Sequence, residues 1–123
     1  MNLLSFEFKV LGKVDSALDL STSSLALAKK INFTRGEADA YFFLGQAYAG
    51  KGKSTDALIN YLAALKLYEQ LKRNVDLAET FYAIGSVHQR SNYDEALNFF
   101  KKALQTAQQT TNKNGRKVSA KIA

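Results

Sequence analysis

Tyr41-Phe42-Phe43-Leu44-Gly45-Gln46-Ala47-Tyr48, followed by Ala57-Leu58-Ile59-Asn60-Tyr61-Leu62-Ala63-Ala64, is the stretch on which the fold turns. Its pattern returns as Phe81-x-x-Ile84-Gly85-x-x-His88, followed by Ala96-x-x-x-Phe100-x-x-Ala103. The two glycines lie forty residues apart. Stepping back by the same forty from Ala57 reaches Ala17, with Leu4, Ser5 and Phe8 where Leu44, Gly45 and Tyr48 stand, and Gly12 where Gly52 stands. A repeat of this length marks a stacked-repeat architecture, because each unit buries its apolar side only against its neighbour. The first unit is the most diverged.

The residue types fit helices at these spacings. Leu44 with Tyr41 and Tyr48, and Ile84 with Phe81 and His88, are three or four residues apart and form one apolar stripe. A glycine in mid-helix costs about 1 kcal/mol relative to alanine, so Gly45 and Gly85 need a compensating close contact. Ala57, Ala64, Ala96 and Ala103 are small on the facing helix for the same reason, with Tyr61 and Phe100 filling the space beside them. Thr34-x-x-Glu37 and Asn92-x-x-Glu95 read as capping boxes or close relatives, with Ser54 and Asp56 opening the middle unit. Turns are expected at Gly12, Gly50 to Gly52, Ser91 to Asn92 and Asn114 to Gly115. The expected helices are 1–10, 15–31, 35–50, 55–72, 76–89, 93–110 and 116–123. Phe6-Glu7-Phe8-Lys9-Val10 alternates like a strand, but a lone strand has no ladder partner, and helix is expected there.

This pattern resembles the tetratricopeptide repeat: an aromatic, Leu-Gly and Tyr on a first helix, then Ala and an aromatic on a second. The resemblance covers nearly all of the chain. The period is forty rather than thirty-four, the closing proline is missing, and the third unit is one residue short between Gly85 and Ala96. Longer periods of this kind resemble the repeats of kinesin light chains, polarity adaptors and bacterial sensor or regulator proteins. The resemblance implies an all-α solenoid of stacked antiparallel helix pairs in a right-handed superhelix, with about three repeats plus a C-terminal helix. As a single domain over 1–123, the units are about 1–33, 34–73 and 74–111. Residues 112–123 then form a basic C-terminal capping or truncated helix.

Composition agrees. The chain has 123 residues, 46% apolar and 23% charged, which argues against disorder and allows roughly two thirds of the unfolded surface to be buried. The absence of proline, where about six are usual, favours long helices. No cysteine is present, which excludes a disulfide framework, a thiol nucleophile and cysteine-ligated zinc, and favours a cytoplasmic location. No apolar run approaches the ~20 residues of a membrane span.

The net charge of +6 is concentrated. Residues 1–95 hold eleven basic and eleven acidic side chains, whereas 96–123 hold Lys101, Lys102, Lys113, Arg116, Lys117 and Lys121 with no acid. That end is either a solvated helix terminus or a salt-sensitive contact for nucleic acid or an acidic surface. No specific nucleic-acid motif accompanies it.

A constellation for catalysis is lacking. His88 is the only histidine and takes the place of Tyr48 in the repeat, which reads as packing, and a single histidine makes no His-rich metal site. Gly50-Lys51-Gly52-Lys53-Ser54 follows a helix rather than a strand and lacks phosphate-loop spacing. Asn32-Phe33-Thr34 matches a glycosylation acceptor, read as coincidence without a secretory segment. No catalytic residue, cofactor or metal is expected.

The expected activity is a non-catalytic interaction module that binds a peptide or partner protein. The resemblance assigns a concave face to the first helices, placing Asp39, Phe42, Gln46 and Ala49, then Glu79, Tyr82, Ser86 and Gln89, upon it. Phe42 and Tyr82 fall beside the core stripe, which fits either partner contact or packing between repeats. Relatives that clamp a C-terminal carboxylate use Lys and Asn at positions that here hold Phe42, Gln46, Tyr82 and Ser86. An extended or helical peptide held by aromatic contacts and amide hydrogen bonds is expected instead. Two alternatives stand beside this reading: a regulatory or sensory segment of a larger signalling protein, and binding through the basic end. The start within a first helix and the stop at Ala123 read as a fragment of a longer array. Lys117 to Ala123 is expected either to cap the third unit or to mediate self-association.

Overall fold

A computed structural model describes the backbone of residues 3–114 and the side chains of residues 12–109. Five helices occur in order: α1 (Leu3–Lys30), α2 (Thr34–Gly50), α3 (Ser54–Leu71), α4 (Asn74–His88) and α5 (Tyr93–Asn114). No strand occurs among the described residues, and Phe6 to Val10 is helical. The fold is an all-α helical repeat. It divides into two compact units, residues 1–67 and 68–123, with the division inside α3. The expected helix over 116–123, with its capping or self-association role, lies outside the described residues.

Within the first unit, α1 and α2 form an antiparallel hairpin. The tip of this pairing is fixed by Val14, whose methyl lies 3.6 Å from where a Cβ on Gly50 would be, and by the Lys51 ammonium donating to Asp15 at 2.7 Å. Nearer the turn, the Lys29 ammonium lies 5.5 Å from the centre of the Tyr41 ring. Its hydrogen bond to Tyr41, and after that the Tyr41 charge, raise the Lys29 pKa; desolvation opposes them, and the Glu37 charge adds a lesser upward push.

α2 and α3 interlock where the repeat demands it. A Cβ built on Gly45 would stand 2.5 Å from Cδ1 of Tyr61, so the ring occupies the space that only glycine leaves open. Ala57 and Ala64 are fully buried on either side. The second unit repeats this: a Cβ on Gly85 would meet Phe100 at 2.7 Å and the Ala96 carbonyl oxygen at 3.2 Å, with Ala96 fully buried. His88 stacks on Phe99 at 5.6 Å with the ring planes 6° apart, a packing role.

The turns explain the boundaries. After α1, Asn32 sits in the left-handed region with φ 56°, the Phe33 N–H donates to the Ala28 carbonyl and the Asn32 N–H to the Lys29 carbonyl. This double bond pattern is the Schellman stop. It recurs at Gly52, with Lys53 donating to Tyr48 and Gly52 to Ala49, and at Lys72, with Arg73 donating to Tyr68 and Lys72 to Glu69. The last junction differs. Asn92 and Ser91 both donate from their backbone N–H to the His88 carbonyl, and α5 is capped by the Asn92 side chain, which accepts from the Glu95 N–H at 3.1 Å.

Two expectations are corrected. Helices 1–10 and 15–31 are one continuous helix, with no turn at Gly12. Gly12 has no left-handed φ and a Cβ there would meet nothing within 4 Å, so no packed neighbour forces the chain to reverse. At α2, the cap is Phe33 with no side-chain hydrogen bond, and Thr34 is the first helical residue. Phe33 closes the stop of α1 and opens α2 at once, which leaves no separate cap position for Thr34. Arg73 does the same ahead of α4.

Candidate functional site

The spacing 39, 42, 46, 49 puts four side chains on one face of α2, and 79, 82, 86, 89 repeats it on α4 and its C-cap. The two faces belong to different units.

On α2, Asp39 is half-buried, with an oxygen 3.9 Å from the Arg35 guanidinium. Phe42 is also half-buried: its ring centre lies 5.6 Å from that of Tyr61 and 5.9 Å, edge-on, from that of Phe43. Gln46 and Ala49 are exposed. Tyr61, behind Phe42, is 3% exposed, and burial raises its phenol pKa to about 12. The face thus has a fixed aromatic floor.

On α4, Tyr82 is 62% exposed, although its ring centre lies 5.3 Å from that of Phe100. One face of the ring is therefore available while its base is held. Glu79, Ser86 and Gln89 are exposed around it. The Ser86 hydroxyl donates to the Tyr82 carbonyl at 3.1 Å, which turns that group towards its own helix. This surface can offer aromatic contact, a carboxylate and amide hydrogen bonds. Among the described residues, no cluster of three or more acidic or histidine side chains is placed to hold a metal ion.

Of the six cations in the basic end, the side chains of Lys101 and Lys102 are described. Lys101 and Lys102 are both exposed, and the Lys102 ammonium lies 5.2 Å from the Phe99 ring centre and 5.9 Å from that of Phe81. No described helix is long and apolar enough to cross a membrane.

One feature escaped the sequence reading. In the first unit an apolar groove of about 520 Å³ runs between α1 and α2, with Leu20 and Phe43 on its walls, Ala17, Ser21 and Ala47 beneath, and Gln46 along it. Leu20 is 70% and Phe43 53% exposed. The signal was present in the worn first unit, where Ser21 replaces the Tyr61 of the repeat.

Comparison with known families matches residues 44–109 to a family model described as tetratricopeptide repeat. The match takes in both Leu-Gly and Ile-Gly motifs and both Gly–ring contacts. A search of the curated proteins finds no match to this chain.

Proposed function

From the premise that the chain belongs to the tetratricopeptide repeat family, whose repeats generally mediate protein–protein interaction and are typically non-catalytic, we propose that it binds a peptide or partner protein through the first-helix faces of α2 and α4. The residues assigned to contact are Asp39, Phe42, Gln46 and Ala49 on α2, and Glu79, Tyr82, Ser86 and Gln89 on and beside α4. The observation that carries this reading is Tyr82, a large aromatic left mostly in water on a helix whose opposite side is buried at Thr80 and Ile84. Aromatic side chains with an anchored base and an open face are characteristic of binding hot spots. The forty-residue cadence supports placing the chain with the long-period members of the family, and with them a scaffold or regulatory role. Bond making plays no part in the mechanism: the helices of each unit display side chains, and specificity comes from what they touch.

Selection of a random peptide phage library on the purified chain provides a probe. Tyr82→Ala is expected to weaken binding of the selected peptides at least about tenfold, the scale of a hot-spot truncation, with the far-ultraviolet helical signal unchanged. Unchanged binding in this variant and in Phe42→Ala would remove the assignment.

A further inference from the structure

We propose that the groove between α1 and α2 is the seat for residues 3–11 of a second copy of this chain, so that two chains exchange their first segments. Three observations lead there.

The groove stands where the repeat calls for a helix. Ala17 and Ser21 occupy the register of Ala57 and Tyr61, the α3 positions against which α2 packs. Ala57 is fully buried, whereas Ala17 is exposed and Leu20 beside it is 70% exposed. Ser21, 7% exposed, forms the floor beneath, and no described helix of the chain covers Ala17 or Leu20.

The chain carries a segment in the matching register. Leu4, Ser5 and Phe8 stand where Leu44, Gly45 and Tyr48 stand one repeat later. The exchange of residues is complementary. Gly45 is bare because it faces the Tyr61 ring, which leaves no space for a Cβ; opposite Ser5, the register places Ser21, which has no ring. A side chain at position 5 is therefore admissible for the same reason that one at position 45 is not.

Finally, the segment is held away from its own groove. α1 runs unbroken from Leu3 to Lys30, about 40 Å at 1.5 Å per residue, so residues 3–11 project along the axis instead of folding back. Gly12 is the hinge. It shares the register of Gly52, which takes φ 78° and reverses the chain, but here it stays helical with open space around it. A straightened hinge that releases an element from its own unit and offers it to an identical one is the geometry of domain exchange. The contact lies at the opposite end of the chain from the basic terminus, and of the proposed partner-binding residues it touches Gln46 alone.

The chain has no cysteine, so the test is clean. Sedimentation equilibrium of the full chain is expected to show a concentration-dependent dimer, and Gly12→Ala, which favours the straight helix, is expected to lower its dissociation constant by about fivefold or more. Chains carrying Ser5→Cys, mixed with chains carrying Ser21→Cys and oxidised with copper phenanthroline, are expected to form a disulfide between copies. Leu4→Asp with Phe8→Asp leaves residues 12–109 untouched and is expected to yield a monomer with the remaining helices intact, so the contact is read even if a cysteine variant fails to fold. A monomeric wild type, a dimer that persists in the Asp variant, or a 5–21 link formed inside one chain of the double cysteine variant would each overturn the proposal.

Discussion

At Gly45 and Gly85 the chain gives up helix propensity so that a ring can enter, and the two effects are comparable enough for experiment to rank them. Alanine gains about 1 kcal/mol of propensity. It also places a Cβ 2.5 Å from the Tyr61 ring or 2.7 Å from the Phe100 ring, and overpacking of a filled core costs about 1–3 kcal/mol. Gly85→Ala is expected to be the worse, by net loss of about 1–2 kcal/mol in denaturant unfolding, because the Ala96 carbonyl also stands in the way and backbone moves less readily than a side chain. Tyr61 itself gives a second test. Burial favours its neutral form and raises its pKa to about 12, while the unfolded phenol titrates near 10. Between those values the unfolded chain has released a proton that the folded one retains, so stability is full below about pH 10 and declines up to about pH 12. Unfolding midpoints across this range should fall less steeply in Tyr61→Phe than in the wild type; equal slopes would count against burial of the phenol. These glycines and rings were legible in the sequence because an unforced helix does not place glycine within its apolar stripe. Phe42 was legible as lying beside that stripe, but its packing against Tyr61 was not, since spacing fixes a direction and not the length of reach of a ring.

Helix ends are where sequence and structure part. Three of the four junctions close with a Schellman stop, and the Asn32 and Lys72 stops are forty residues apart, the period of the motif itself. Local cap rules pointed to Thr34, but the stop assigns the cap to Phe33, because a backbone pattern that ends one helix also fixes the entry to the next. Asn92 did follow the local rule, at the junction that is one residue shorter and has no left-handed residue. The break expected at Gly12 failed for a related reason: glycine permits reversal without enforcing it, and no neighbour packs there to decide the matter. Lys72 carries a side chain in a conformation that favours glycine, with φ 56°. Lys72→Gly is therefore expected to stabilise the chain by about 1 kcal/mol, seen as a higher thermal midpoint. A lower midpoint would mean that the stop does not persist in solution.

Across the molecule, the repeat grammar determines which faces are buried and leaves the partner to the faces that remain. Charge balance over residues 1–95 and an excess beyond them were visible in the sequence; that Lys102 spends its charge over Phe81 and Phe99 was not, because those rings come from two different helices. The groove beside α1 was hidden for the same kind of reason, since it depends on a helix failing to turn. Backbone hydrogen exchange of the full chain, with and without a peptide from the library selection, most directly tests the claim that the first helices carry recognition. Added protection is predicted in residues 34–50 and 74–88, centred on the turns around Phe42 and Tyr82. Protection confined to α3 and α5, or to residues 96–123, would contradict it.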